Sequence, residues 1–397
     1  VSEERYILAA TDAGGARALV GLALELHQRS MPLLGVGSGP AVNIWRAQCA
    51  GIPFKELADG ISVEDVCGLL RSEKITTVVT AAGLYNQLEH TLRLAAKHCG
   101  LPCASILDSW LNYAERFQRK NGDEIEISWP DLICAIDEIT AQGVKDAGFD
   151  AAKVVVTGPL NMELSLKTVL EARSHIAEWK NKHQIGLDDK VVFFFSDPFF
   201  RSPAGGKFMG SGGLYDDNGV SLFGYDSLTT IDGVLAELKE KTKNQPTIFH
   251  VFLKPHPLEH EPFLHAFLTQ YTTDTLKVKM APDKSAAECI AVADVCLGMM
   301  TIALLEAALS GVPAISFEVG LQSTSVQDPC LSNTLGYTVP IYSSMAQSKV
   351  INNIVGKQWD VISSMAAVTF ESRLPVCGAA GRAADVINAR LGCLNWI

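Results

Sequence analysis

The chain lacks paired cysteine motifs, long apolar runs and any surplus of basic residues, and each absence removes a class of protein. Its ten cysteines include no Cys-X-X-Cys pair, and Cys99 and Cys103 straddle a Gly-Leu-Pro turn. Most of the others sit in apolar periodic stretches, such as "DLICAID" around Cys134 and "ADVCLG" around Cys296. That is how small core residues are distributed in a reducing compartment. No apolar run reaches the roughly 18 residues that a membrane-crossing helix needs. The N-terminus has neither the basic start nor the apolar block of a secretory signal. The expected location is therefore the cytoplasm, with peripheral attachment at the inner face of a membrane left open. Charged residues make up 19% of the chain and the net charge is −11. With no basic surface, nucleic acid is not expected as a partner. An anionic ligand would have to be held by a few local groups.

What the chain does have is apolar material, 48% of 397 residues. That is enough for two cores of about 200 residues each. Continuous apolar runs alternate with amphipathic helical runs. "RYILAAT" (5–11), "MPLLGVG", "TTVVTAAG", "PCASILD", "DLICAID" and "KVVVTG" read as strands. "ARALVGLALELHQR" (16–29) reads as a helix. In the second half the strands are "KVVFFFSD", "TIFHVFLK", "LKVKM", "DVCLGMM" and "PAISF". Runs buried on both faces mark parallel sheets with right-handed helical crossovers. The pattern predicts an α/β protein of two doubly wound Rossmann-like domains facing a cleft, 1–185 and 186–397. The junction is placed in the charged helix near residue 185, and C-terminal helices are free to return to the first domain. Ligands of such sheets bind beyond the carboxyl ends of the strands, here at the cleft. "DPFFRSPAGGKFMGSGGLYDDNGVSLFGYDS" (197–227) breaks the alternation and is expected to be a mobile functional loop.

Two segments carry candidate chemistry in the second domain. In "VFLKPHPLEHE", Lys254 and His256 end a strand, and Pro255 and Pro257 stiffen the backbone around the imidazole. Together they make a compact anion site, against the plainer reading of a strand-end turn. A metal pair of His256 and His260 with Glu259 has suitable spacing, but Pro257 argues against the helix it needs. In "ADVCLGMMTIALLEAALSGVPAISF" a strand ends at Gly298 and Thr301 caps a helix that begins at Ile302. The amides of that helix start could hold a phosphate, and Glu306 could bond ribose hydroxyls.

In the first domain the candidates are carboxylates at strand ends. Asp12 in "ATDAGGA" is followed by Gly14 and Gly15, which let a ligand approach the backbone. Asp108 in "ILDSWLNYAERF" is followed by Trp110, Asn112 and Arg116, the mixture a sugar site uses. The plain alternatives are a helix cap for Asp12 and a turn cap for Asp108. As a general base Asp12 is ranked slightly ahead of Asp108, because the Gly pair has little purpose in a simple cap. "GVGSGPA" (35–41) imitates a dinucleotide fingerprint but has Pro40 at the third glycine, so an oxidoreductase is set aside.

"KPHP" followed some 40 residues later by "ADVCLGMMTIALLEAALSGVPAIS" resembles the donor half of the GT-B glycosyltransferases. It is most similar to the branch with a His-Pro motif that acts in bacterial surface polysaccharides with CMP- or CDP-linked donors. "PDLICAIDEITAQGVKDAGFDAAKVVVTGPL" (130–160) resembles the end of the first GT-B domain and is also similar to UDP-N-acetylglucosamine 2-epimerases. The likeness covers roughly residues 130–320; the first 120 residues share only the alternation. It implies donor phosphate at Lys254, His256, Gly298, Thr301 and Ile302, and ribose at Glu306. Many members have a Ser pair where this chain has Met299, Met300, Thr301 and Ile302.

The expected function is metal-independent glycosyl transfer from a CMP-, CDP- or UDP-linked donor to a carbohydrate or glycolipid hydroxyl, with no cofactor. Asp12 or Asp108 would be the base, and Gly14, Gly15, Trp110, Asn112 and Arg116 would contact sugar. An epimerase acting on the nucleotide sugar itself and a non-catalytic sugar-nucleotide binder are the alternatives. Oligomeric state is not addressed by the sequence.

Overall fold

The computed structural model describes residues 4–58, 60–84, 87–121, 124–197, 221–256, 259, 261–282, 284–366 and 374–392. Most of the irregular 197–227 loop, together with Pro257 and His260, lies outside them. The chain forms two compact units, residues 1–164 with 374–397, and residues 165–373.

The first unit begins with β1 (Tyr6–Ala10), α1 (Ala13–Gln28), β2 (Leu33–Gly37), α2 (Pro40–Gln48), β3 (Phe54–Glu56) and α3 (Val63–Ser72). It continues with β4 (Thr77–Ala81), α4 (Gln87–Cys99), β5 (Cys103–Ile106), the antiparallel hairpin β6 (Gln118–Asn121) and β7 (Glu124–Ile127), β8 (Leu132–Ala135), α5 (Glu138–Asp146) and β9 (Val154–Val156). Its seven-stranded sheet has the order β3-β2-β1-β4-β5-β8-β9, with every pair parallel. The pleat sends alternate residues of β1 to opposite cores. Tyr6, Leu8 and Ala10 pack with α1 and α2, whereas Ile7 and Ala9 pack with α3 and α4.

The second unit carries α6 (Leu160–Arg173), whose first turn precedes the division, then α7 (Ile176–Lys182), β10 (Lys190–Phe195), α8 (Ser227–Thr242), β11 (Phe249–Lys254) and α9 (Glu261–Leu268). There follow β12 (Leu276–Met280), α10 (Ala286–Val292), β13 (Val295–Gly298), α11 (Ile302–Leu309), β14 (Ala314–Phe317), α12 (Leu331–Thr334), β15 (Val339–Ile341), α13 (Ser344–Val355) and α14 (Trp359–Ser364). The six-stranded sheet is parallel throughout, in the order β12-β11-β10-β13-β14-β15. Val192 and Phe194 face one core, and Val191, Phe193 and Phe195 face the other.

The structure differs from the sequence reading at the junction. Val169 of α6 and Ile185 are buried in the same cluster as Val191 and Phe193, and Trp179 of α7 meets Phe252 edge-on. The charged helix is thus seated on the second sheet by its few apolar residues, and the division falls at 164/165, not near 185. The last helix, α15 (Ala379–Leu391), belongs to the first unit: Ala379, Ala383, Ile387 and Leu391 are buried beside α1. Short strands β3, β6, β7 and β15 are absent from the sequence reading, because three or four residues give too little alternation to register.

Both sheets reverse direction of winding once, between β1 and β4 and between β10 and β13. Such switch points open a crevice beyond the strand ends, where ligands bind. Ile387 is 1% exposed. Replacing it with Ala should lower the stability of the first unit by about 2–5 kcal/mol, measured as a shift in the urea midpoint; an unchanged midpoint would show that α15 adds nothing to this core.

Candidate functional site

In the first unit, three carboxyl groups gather beyond the switch point. Asp12 is the N-cap of α1: its Oδ1 accepts from the Gly15 amide at 2.7 Å. The position a Cβ would take on Gly14 is only 2.3 Å from Asp108 Oδ2, so a side chain there would collide with the carboxylate. A Cβ on Gly15 would meet Ala81 at 2.5 Å. The Gly pair therefore admits both the Asp108 carboxylate and the end of β4. Asp108 accepts from Arg116 Nη1 at 3.2 Å, both side chains being 8% exposed. Burial pushes the Asp108 carboxyl up to about 6; the charge of Asp12 adds to the rise and Arg116 opposes it.

The third carboxyl, Glu89 of α4, is fully buried. Thr11 donates to its Oε1 at 2.7 Å across the switch point, and among the described residues no donor reaches Oε2. The slot left by the missing Cβ of Gly83 is 3.0 Å from both Asp12 Oδ2 and Glu89 Oε1, so the two carboxyls face one small space. Burial pushes Glu89 up to about 7. Sequence reasoning missed Glu89. Its signal was the pairing with Arg93 four residues on, which reads as an ordinary exposed helix pair although both side chains are buried.

Arg93 is a scaffold for this end of the sheet. It donates to Ser128, Thr80, and the Ala81 and Arg116 carbonyls, and stacks over Phe117 at 5.1 Å. Arg116 also donates to the Leu111 carbonyl at 2.8 Å and to that of Ala82. Beside it opens a cavity of about 580 Å³. Its polar lining includes Gln87, Asn112, Glu115, Arg116, Gln118 and Arg119, and Ile125 closes one side. Asn112 adopts φ +59°, a left-handed conformation that Asn tolerates better than most residues. Trp110 does not line the cavity: it is 6% exposed and its indole N–H donates to Asp137 at 2.6 Å.

In the second unit, Lys254 and Gly298 are the last residues of β11 and β13, and both pair in register with Phe195 of the strand between them. A Cβ on Gly298 would lie 2.8 Å from the Phe195 carbonyl. Thr301 caps α11, accepting from the Ala303 amide at 3.3 Å, and Ile302, the first helical residue, is 43% exposed. Two further carboxyls that the sequence reading did not assign to phosphate or sugar hold this edge together. Asp197, buried two residues beyond β10, accepts from the Met300 amide at 2.9 Å. Glu259 accepts from Ser196 Oγ at 2.8 Å and from the His256 amide at 2.6 Å. Burial pushes each of these carboxyls up to about 7. Glu259 thus fixes the turn at His256, and Asp197 holds the amide of Met300, the residue before the Thr301 cap. His256 is held below its ordinary value by burial, so its ring is neutral at pH 7 and the positive charge at this edge comes from Lys254. Glu306 is buried, and Ser165 of α6 donates to its Oε1 at 2.7 Å.

Two all-parallel Rossmann-like units, each with polar groups gathered at its switch point, define a fold of the GT-B type. Comparison with solved structures agrees. The chain is similar to a UDP-GlcNAc 2-epimerase from Methanocaldococcus jannaschii, with TM-score 0.64 and 12% identity over 97% of this chain and 99% of that one. It is similar to UDP-GlcNAc 2-epimerase from Neisseria meningitidis bound to UDP-GlcNAc, with TM-score 0.62 and 12% identity over 97% and 100%. It is also similar to MurG from Acinetobacter baumannii, with TM-score 0.52 and 14% identity over 98% and 99%. No protein-family model matches the sequence, and no curated protein matches it. Among the described residues no helix is long and apolar enough to cross a membrane.

Two outcomes follow from this geometry. Gly14→Ala should displace Asp108 from Arg116 and cost about 1–3 kcal/mol of stability, the range for overpacking a filled site; a urea midpoint equal to wild type would show that the carboxylate moves aside freely. Lys254→Ala should weaken binding of a nucleoside diphosphate by roughly 10- to 150-fold, the loss of one charge-assisted hydrogen bond of about 1.5–3 kcal/mol. His256→Ala, removing a neutral ring, should weaken it less. Calorimetry showing unchanged affinity in both variants would remove the phosphate from this edge.

Proposed function

We propose that the protein is a nucleotide-sugar-dependent glycosyltransferase. The second unit holds the donor nucleotide at the ends of β11 and β13, and carboxylates of the first unit deprotonate the acceptor hydroxyl. The observation that carries this reading is the cavity beside the Arg116–Asp108 pair. It lies within the first unit, is lined by amide and guanidinium groups that can bond hydroxyls, and gives room for a second substrate. An enzyme that only rearranges the nucleotide sugar has no need of it.

In the proposed reaction the acceptor oxygen attacks the anomeric carbon as the bond to the nucleotide phosphate breaks. The hydroxyl proton passes to a carboxylate, and charge on the leaving phosphate is stabilised by Lys254 and the segment around Thr301. Of the two base candidates, Asp108 is the better placed on these observations. Asp12 spends one oxygen accepting from the Gly15 amide as the cap of α1, which commits that oxygen to the helix. Asp108 is raised toward neutrality, where a general base works best. Asp12 then keeps Asp108 basic by its charge, and Gly14 and Gly15 provide the space. The ribose assignment of Glu306 stays within this proposal; its bond to Ser165 would have to yield to or share with the ligand.

A second reading has its own support. Two of the three neighbours described above are named as UDP-GlcNAc 2-epimerases. The carboxyls gathered at this switch point could also supply the acid and the base of an epimerisation. Incubating the protein with UDP-GlcNAc and other nucleotide sugars, with and without acceptor sugars, separates the readings. Transfer predicts turnover only when acceptor is present; complete isomerisation without acceptor would establish the second reading and overturn the first.

The base assignment has a pH signature. Asp108 must be ionised to act, so kcat/KM should rise with pH through about 6 and level off above it. Asp108→Asn should lower kcat by about 10²–10⁴ and abolish that limb. A near-normal rate with the limb intact would reject Asp108 as the base.

A further inference from the structure

We propose that Glu318, Asp328 and Cys330 form a binding site for a zinc-like divalent cation in the loop that follows β14. The sequence reading expected no metal, and its His256–His260 candidate lies elsewhere. One donor atom from each of the three residues falls within 4.8 Å of the other two. Glu318 and Cys330 are fully buried and Asp328 is half-buried, which leaves one side open for an ion to enter.

Charge is the first argument. Two carboxylates and a thiol are packed together, and among the described residues no Lys, Arg or His donates to any of them. Buried anions without a cation are costly, and a divalent ion or a captured proton are the two remedies.

The second argument is independent of the clustering. Glu318 is 0% exposed, yet among the described residues no hydrogen-bond donor reaches its Oε2. Its other oxygen is fixed by Ser316 Oγ at 2.9 Å and Asn333 Nδ2 at 3.0 Å, which holds Oε2 in place.

The supporting bonds are those that metal ligands use. Asp328 accepts from the Cys330 amide at 2.7 Å, from Asn333 at 3.0 Å and from Tyr342. Ser332 Oγ lies 3.1 Å from the Cys330 sulfur. Each candidate ligand is thus oriented by a neighbour, as ligands of bound metals are. The thiolate in the set selects a zinc-like ion over magnesium or calcium. Zinc bonds of about 2.0–2.3 Å would draw the donors together by on the order of 1 Å. On binding, Cys330 and any protonated carboxyl release their protons to solvent, and no redox change is involved.

The test uses the full chain, stripped with chelator and dialysed against zinc or cobalt(II) ions. One equivalent of zinc per chain is expected, together with a near-ultraviolet thiolate-to-cobalt absorption. Cys330→Ser should abolish that absorption, and Glu318→Gln should weaken zinc at least about tenfold. Cys377→Ser, which alters an exposed thiol, should leave both unchanged. Far-ultraviolet circular dichroism identifies any variant that fails to fold; for such a variant the wild-type cobalt spectrum decides. A stripped wild type that takes up no zinc and shows no cobalt–thiolate band would overturn the proposal, as would a band that survives Cys330→Ser. Higher thermal stability of Glu318→Gln without metal uptake would mean that the carboxyls share a proton instead.

Discussion

The Asp108–Arg116 contact constrains most of what lies at the carboxyl end of the first sheet. One guanidinium donates to a buried carboxylate and to the carbonyls of Ala82 and Leu111. It therefore ties the segment after β5 to the end of β4, and it shapes a wall of the neighbouring cavity. The arrangement exists only because Gly14 has no Cβ, since the carboxylate oxygen occupies that volume. Truncating either charged partner would leave the other buried and uncompensated, which is far more costly than the pair is stabilising. A contact with that asymmetry fixes geometry more than it adds stability.

The second sheet solves the same problem differently. Asp197, two residues beyond β10, accepts from the backbone amide of Met300 and so bridges the switch point without a cation. Glu259 does the same for the turn at His256. Both carboxyls are raised by burial, so each sits near the boundary between neutral acid and anion at physiological pH. The local charge at this edge is consequently set by Lys254 against two titrating acids, and under the proposed function nucleotide affinity would vary with pH here.

The strands of the first sheet's centre and nearly all of the second were legible, because parallel strands buried on both faces leave continuous apolar runs. Lys254, Gly298 and Thr301 were legible for the same reason, as residues placed where such runs stop. The 164/165 division was not, because the charged stretch 171–190 reads as a linker between domains, although Trp179 and Ile185 seat it, with Val169 just before it, on the second sheet. Glu89 and Arg93 were invisible for a related cause: a charge pair four residues apart has the same spelling whether it faces water or a sheet's end. Trp110 was read as a sugar platform from its neighbours, yet its ring is turned inward onto Asp137. Orientation of a side chain in a loop is set by tertiary contacts that no local pattern encodes.

The proposed function requires this chain to bind a nucleotide through the strand ends of its second unit. The most direct measurement is a thermal-shift titration with CMP, CDP, UDP and GDP, since a ligand that binds only the native state raises the melting temperature. A saturable rise is expected with at least one of the four, diminished in Lys254→Ala. No rise with any of them at millimolar concentration would contradict it.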